Sequence, residues 1–285
     1  MPRLSFSVLL LLTGMLSNKL GASVAKQIFS AAHPIGITVL RTSLAALILL
    51  AVFRPWRVQL DWRAWACVLP YGCALGTMNI LFYLSLQRLP LGIVIAIEFI
   101  GPLGLALFTS RRKLDFAWVI LAATGITLIS PFAGAEKAVD LQGFSLALAA
   151  GGCWALYIVF GQHVSLRLPP GPATAVGMLV AAVVVSPFAF IYADARIFQI
   201  EVWWMSLAVA VLCSVLPYPL DLMALKQIPA KTFGILMSVE PAMAALVGFV
   251  FLGEELNPQQ WLALGCIMSA SAGCTIFGRE KAADF

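Results

Sequence analysis

Apolar residues dominate the chain in long runs, and polar residues fall mostly in short clusters between them. Many runs approach the ~20 residues that a helix needs to cross the hydrocarbon core of a bilayer. Read against breaks at proline, glycine and charge, they predict ten spans. These cover approximately 4–27, 34–53, 64–87, 91–110, 115–131, 141–161, 171–192, 202–225, 230–253 and 257–277. Barrel strands would alternate apolar and polar positions, so continuous runs of this length imply helices whose backbone groups are satisfied internally. The connections are too short for a soluble domain. The chain therefore reads as an all-α integral membrane protein with ten transmembrane helices.

Breaks in the pattern recur. Leu89-Pro90 and Ile228-Pro229 each open a span, and Pro102 and Pro241 follow each of them by twelve residues, an offset of 139 in both cases. His33-Pro34 and Gly171-Pro172 also open spans, 138 residues apart. This spacing predicts two copies of a five-span unit, 1–133 and 134–285. A unit with an odd number of spans enters the membrane in opposite orientation the second time, and inverted repeats are a common plan of secondary transporters. The first run resembles a secretory leader, with Arg3 ahead of it and Ala22–Ala25 like a cleavage site. Its counterpart in the second copy argues that it stays in the mature chain.

Composition fits this reading. Of 285 residues, 61% are hydrophobic and 11% charged, with a mean hydropathy of +0.96; a soluble domain carries about a quarter charged residues. The net charge of +5 sits in short clusters rather than on a basic face, so no nucleic-acid partner is expected. With the N-terminus inside, the inner side holds Arg3, Arg54, Arg57, Arg63, Arg111, Arg112, Lys113, Arg167, Lys226, Lys231, Arg279 and Lys281. The outer side holds Lys26, Arg88, Lys137 and Arg196. Twelve against four is a positive-inside bias that puts both termini in the cytoplasm. Six scattered cysteines and two distant histidines supply neither a C-x-x-C pair nor a metal site, and no cofactor is expected.

Five ionisable residues remain inside the spans: Lys19, Arg41, Glu98, Asp221 and Glu240. A charge at membrane depth costs several kcal/mol, so it faces a cavity or a partner. At ~1.5 Å per residue, Arg41 and Glu98 lie about 10–12 Å below the outer ends of their spans, and Glu240 lies near mid-membrane. One cation and one or two carboxylates at similar depth suit a zwitterion. Arg41 would fork to a carboxylate, and Glu98 would take the ammonium. The alternative is that Arg41 and Glu98 pair with each other and pin two helices. Glu240, beside the kinking Pro241, is the candidate for proton coupling, since a carboxylate in a low-dielectric cavity is poised to exchange protons. Asp221 reads as an interfacial residue near the inner end of its span, and Lys19 is free to reach outward to the interface. Asn79 and Tyr83, four apart, and Trp154 and Tyr157, three apart, share helix faces and are candidate cavity residues, with Tyr218 in the same group.

The run Gly76–Ile93, continuing through Glu98–Pro102 to Ser110–Arg112, resembles the bacterial threonine/homoserine exporters of the drug/metabolite transporter superfamily, which are built from two EamA-type repeats. So do Gly152–Gln162, Leu216–Leu225, and Lys231–Ala245 with Phe251–Glu254. The resemblance spans Gly21 to Cys274 and implies ten helices, cytoplasmic termini, and efflux of a small amino-acid substrate across the bacterial inner membrane. Lys19 departs from the uncharged polar residue that the family pattern carries near that position, which bears on selectivity. The leading expectation is a secondary exporter of small amino acids coupled to protons. A broad metabolite or drug exporter of the same fold would show a more apolar, aromatic cavity. An integral membrane enzyme would need a nucleophile with its base, or a metal cluster, near an interface, and no such set is visible.

Overall fold

The computed structural model describes residues 2–58, 60–109, 113–129, 140–192, 195–227 and 236–277. They form α-helices and short helical turns. Helices α1 (Pro2–Gln27), α2 (Pro34–Phe53) and α3 (Trp62–Leu86) are followed by two short ones, α4 (Leu91–Glu98) and α5 (Ile100–Thr109). Next come α6 (Lys113–Ile129), α7 (Leu141–Ser165) and α8 (Pro170–Tyr192). Helix α9 (Ile200–Ala210) runs through a π-turn at Val211–Val215 into α10 (Pro217–Gln227). Helices α11 (Glu240–Leu252) and α12 (Pro258–Phe277) complete the described chain. The start of the predicted ninth span, and loop charges Arg111, Arg112, Lys137, Lys231, Arg279 and Lys281, lie outside the described residues.

Local chemistry sets the helix ends. Pro34 opens α2, with His33 Nδ1 accepting from Ile35 N–H at 3.3 Å. Asp61 and Asp140 cap α3 and α7 by accepting from Ala64 and Gly143 N–H groups at 2.8 Å each. Asn257 and Gln260 exchange side-chain and backbone bonds at the head of α12, as a capping box does. Gly253, at φ +64°, ends α11 in the left-handed conformation that glycine adopts without a Cβ penalty.

Six described helical segments are long and apolar enough to cross a membrane: Val8–Ser30, Pro34–Phe53, Trp62–Leu86, Leu141–Ser165, Pro170–Tyr192 and Ile200–Asp221. Their outward faces are greasy, with Phe190, Ile191 and Trp204 exposed, as are Leu246 and Phe249 on the shorter α11. So much exposed apolar surface would aggregate in water, and it suits lipid. The helices pack mainly in pairs: α2 along α8, α3 along α7, α4 along α11, α6 along α12, and α1 along α10 and the π-turn.

The predicted fourth span is two helices rather than one. The helix is interrupted at Phe99, where Pro102 has no N–H for the Glu98 carbonyl, and Gly101 then passes so close to Gly151 of α7 that a Cβ at Gly101 would strike the Gly151 carbonyl. Only glycine permits that approach. A second break, at Ser238–Val239, precedes α11. Phe99 and Ser238 are 139 residues apart, the same spacing as Pro102 and Pro241.

Candidate functional site

The two breaks explain where the carboxylates stand. Glu98 is the last residue of α4 and Glu240 the first of α11, with Pro241 in the first turn of α11, where its missing N–H costs nothing. Helix breaks inside a membrane are tolerated where they are buried in protein or line a cavity. Both line one: a chamber of about 380 Å³ that also takes in Lys19, Arg41, Asn79, Tyr83, Trp154, Tyr157, Tyr218 and Asp221. Every residue singled out in the sequence for the cavity therefore borders the same space.

Arg41 is 2% exposed. One guanidinium nitrogen donates to Asn79 Oδ1 at 2.6 Å and another to Ser214 Oγ at 3.3 Å, while its Nε has no partner. The guanidinium carbon lies 5.0 Å from the Tyr83 ring centroid, a cation–π distance. Asn79 is held in turn by its own donation to Leu75 O at 2.9 Å, and Tyr83 by an O–H···S contact to Cys213 at 3.8 Å. Arg41 forms no ion pair among the described residues, and neither does Glu98. Mutual pairing of Arg41 and Glu98 is thus not what the structure contains. Both are buried ionisable groups with no ion-pair partner among the described residues, an arrangement in which holding charge is expensive unless a ligand supplies the partner.

Lys19 does not reach outward. Its Nζ donates to Glu240 Oε1 at 2.5 Å, with both side chains buried. The second carboxylate oxygen, Glu240 Oε2, has no partner, and neither does Asp221 Oδ1. Asp221, the last residue of the span Ile200–Asp221, borders the cavity and is half-buried. The aromatic wall includes Trp154, edge-on to Phe99 at 5.6 Å, and Tyr157, stacked on Tyr71 at 4.9 Å with their hydroxyls 3.3 Å apart. Tyr71, Phe99 and Ser214 escape sequence reasoning. Tyr71 directly follows Pro70, and Ser214 reaches Arg41 from a π-turn, a feature frequent at functional sites that has no clear sequence signature.

At the opposite end of the bundle from the start of α1 and the end of α12 lies a polar cluster. Lys26 donates to Glu254 Oε1 and to Leu89 O, each at 2.6 Å, and Glu254 Oε2 accepts from Leu91 N–H at 2.7 Å. Below it Gly92 packs against the Ala245 backbone. Arg88 and Asp140 add an ion pair at 3.2 Å.

A helical bundle with an apolar outer face around a charged, aromatic chamber defines a multi-pass membrane protein of the transporter class. Comparison with known proteins narrows the class. Residues 141–276 match the EamA-like transporter family. Over 275 residues the chain is 47% identical to the threonine/homoserine exporter RhtA of Escherichia coli strain K12, covering 96% of this chain and 92% of that protein. Identity and coverage are the same for RhtA of Salmonella typhimurium strain LT2. The uncharacterized transporter YwfM of Bacillus subtilis strain 168 is 25% identical over 236 residues, 77% of this chain and 76% of that one. A solved crystal structure shares the fold with a TM-score of 0.69 at 18% identity, covering 95% of this chain and 97% of that one. The protein belongs to the EamA-like transporter family.

Proposed function

We propose that the protein exports small zwitterionic amino acids, of the threonine and homoserine type, across the bacterial inner membrane by alternating access coupled to protons. The observation that carries this reading is the unmatched pair of opposite charges, Arg41 and Glu98, facing one cavity. An α-carboxylate completes Arg41, whose fork is already oriented by Asn79 and Ser214. An α-ammonium completes Glu98. Neither charge then remains uncompensated, and a neutral solute would leave both so. The 47% identical relative named as a threonine/homoserine exporter supports the substrate class.

The architecture we propose is ten transmembrane helices in two inverted repeats, 1–133 and 134–285, with both termini cytoplasmic. The twelve-to-four basic bias supports the orientation. The helix pairing supports the repeat. A two-fold relation between halves maps the α2–α8, α4–α11 and α6–α12 pairs onto themselves, and maps the pair of α1 with α10 onto the pair of α7 with α3. The equal spacing of the two helix breaks adds to this. In this orientation the Lys26–Glu254 cluster closes the outer end, and the cavity serves the cytoplasmic side. Glu240 is the proton-exchanging carboxylate, at the hinge where α11 begins, with a free oxygen and an ion-pair partner that a proton would release.

Purified protein in liposomes tests this with counterflow of labelled threonine and homoserine, compared with an acidic amino acid and a bulky aromatic cation. We expect exchange of the two neutral zwitterions and stimulation of their efflux by an opposing proton gradient. Transport of the aromatic cation without transport of the zwitterions would refute the reading in favour of a broad drug exporter.

A further inference from the structure

The cavity contains a second ammonium site that is already filled. Lys19 Nζ sits on Glu240 Oε1 at 2.5 Å, and two carboxylate oxygens of the same region, Glu240 Oε2 and Asp221 Oδ1, are buried without a partner. Asp221, Glu240 and Lys19 interact electrostatically with one another. Glu240, with one oxygen on the Lys19 ammonium and one spare, and the neighbouring Asp221 carboxylate form a cation subsite. The chain supplies its occupant from α1, more than 200 residues away in sequence. The backbone that carries Lys19 is held independently of its side chain. Ser17 Oγ and Asn18 Nδ2 donate to the π-turn carbonyls of Leu212 and Cys213 at 2.8 and 3.4 Å. Gly21 meanwhile packs tightly against Cys213.

We infer that Lys19 is a specificity-determining residue: its resident ammonium fills the Glu240–Asp221 subsite and thereby restricts the transporter to amino acids that bring a single ammonium. This inference rests on the proposed binding of a zwitterion between Arg41 and Glu98. A diamino acid bound in that way carries its second ammonium down an aliphatic stem and needs an acceptor for it; the Lys19 ammonium holds one oxygen of Glu240 and repels a second cation from the remaining oxygens. Removing the Lys19 charge leaves Glu240 and Asp221 exposed to the cavity without a cation, and a substrate ammonium fills the same role. Desolvated charges left without a partner cost several kcal/mol, so the subsite then favours any ligand that restores one.

The test compares l-lysine with l-norleucine, which has the same stem and lacks the second amine. Binding is measured by ligand-dependent thermal stabilisation and by counterflow, for the parent, Lys19→Met and the charge-neutral pair Lys19→Met/Glu240→Gln. The parent is expected to favour norleucine. In Lys19→Met the ratio of lysine to norleucine affinity should rise by about tenfold or more, about 1.4 kcal/mol or above. The double variant should lose most of that gain in binding. If Lys19→Met does not accumulate, expression with lysine in the medium should restore folded protein and norleucine should not; no restoration overturns the inference. A folded Lys19→Met that binds norleucine with the lysine ratio unmoved also overturns it, as does a parent that accepts both equally. Failure of the parent to exchange any neutral amino acid would instead refute the export reading on which the inference stands.

Discussion

Truncating Glu254 should open the end of the cavity proposed to face outside. Its carboxylate bridges three elements: it accepts from Lys26 at the end of α1 at 2.6 Å and from Leu91 N–H at the head of α4 at 2.7 Å, and it stands on the loop after α11. Lys26 adds its bond to Leu89 O. Fully desolvated, each charge-assisted bond would be worth about 1.5–3 kcal/mol. The Lys26 and Glu254 side chains are 22% and 14% exposed, so water replaces part of the loss, and about 1 kcal/mol per bond is the working figure. Glu254→Ala therefore removes about 2 kcal/mol from the closed state, which multiplies the population open to the outside by about 30. Cys213 borders the cavity and is 2% exposed, so in a protein retaining only that cysteine, an impermeant thiol reagent applied outside reports the open fraction. Labelling should accelerate by a factor of about 30 in Glu254→Ala. The Arg88–Asp140 pair is 39% and 43% exposed and should contribute little, so Arg88→Gln should change the rate less than about threefold. Equal effects from the two variants, or none from Glu254→Ala in a folded protein, would refute the assignment of closure to the Lys26–Glu254–Leu91 cluster.

Three further outcomes follow from the site. Arg41→Lys keeps the charge but loses the fork, so threonine affinity measured by calorimetry should fall by about 10- to 100-fold, one charged hydrogen bond, at normal protein yield; loss of yield with affinity intact would make Arg41 a structural residue. Glu98→Gln should weaken binding itself, whereas Glu240→Gln should leave binding detectable and make efflux insensitive to an acid-outside gradient between pH 6 and 8; parental behaviour of both across that range would remove both roles. Gly101→Ala drives a methyl into the Gly151 carbonyl and should destabilise the protein by at least about 2 kcal/mol, read as a lower melting temperature, while a neutral result would mean that the α5–α7 approach is loose.

Much of the helix layout is legible because its determinants are local. Bilayer thickness sets the length of the runs, and proline, aspartate and glycine mark their ends, so α2 occupies the predicted residues, 34–53, and α8 begins one residue before its prediction at 171. The composition of the cavity is legible for a similar reason, since ionisable groups inside apolar runs have few places to go but a shared polar interior. The partnerships inside it are not legible, because they depend on how helices rotate and pair. Arg41 and Glu98 stand at similar depth, yet Arg41 turns to Asn79 on α3 and Ser214 in the π-turn. Lys19 and Glu240 are separated by 221 positions and meet only because α1 and α11 both border the cavity. The break at Phe99, by contrast, has a local cause, because Pro102 has no N–H to give the Glu98 carbonyl one turn earlier.

Once the partnerships are known, the charges of the cavity constrain the proposed transport cycle. Lys19 and Glu240 cancel each other, and a zwitterion between Arg41 and Glu98 adds no net charge while compensating both. Asp221 remains, a carboxylate with one oxygen buried and unpartnered beside an ion pair whose own second oxygen is free. Counted as ionised, the five groups would carry three negative charges against two positive ones, with or without substrate. A single proton neutralises that excess. On Glu240, that proton would weaken the ion pair with Lys19 and release the ammonium that links α1 to α11. The proposed coupling thus rests on one proton and one ion pair, and the pH response of efflux in Glu240→Gln is the measurement that reads it.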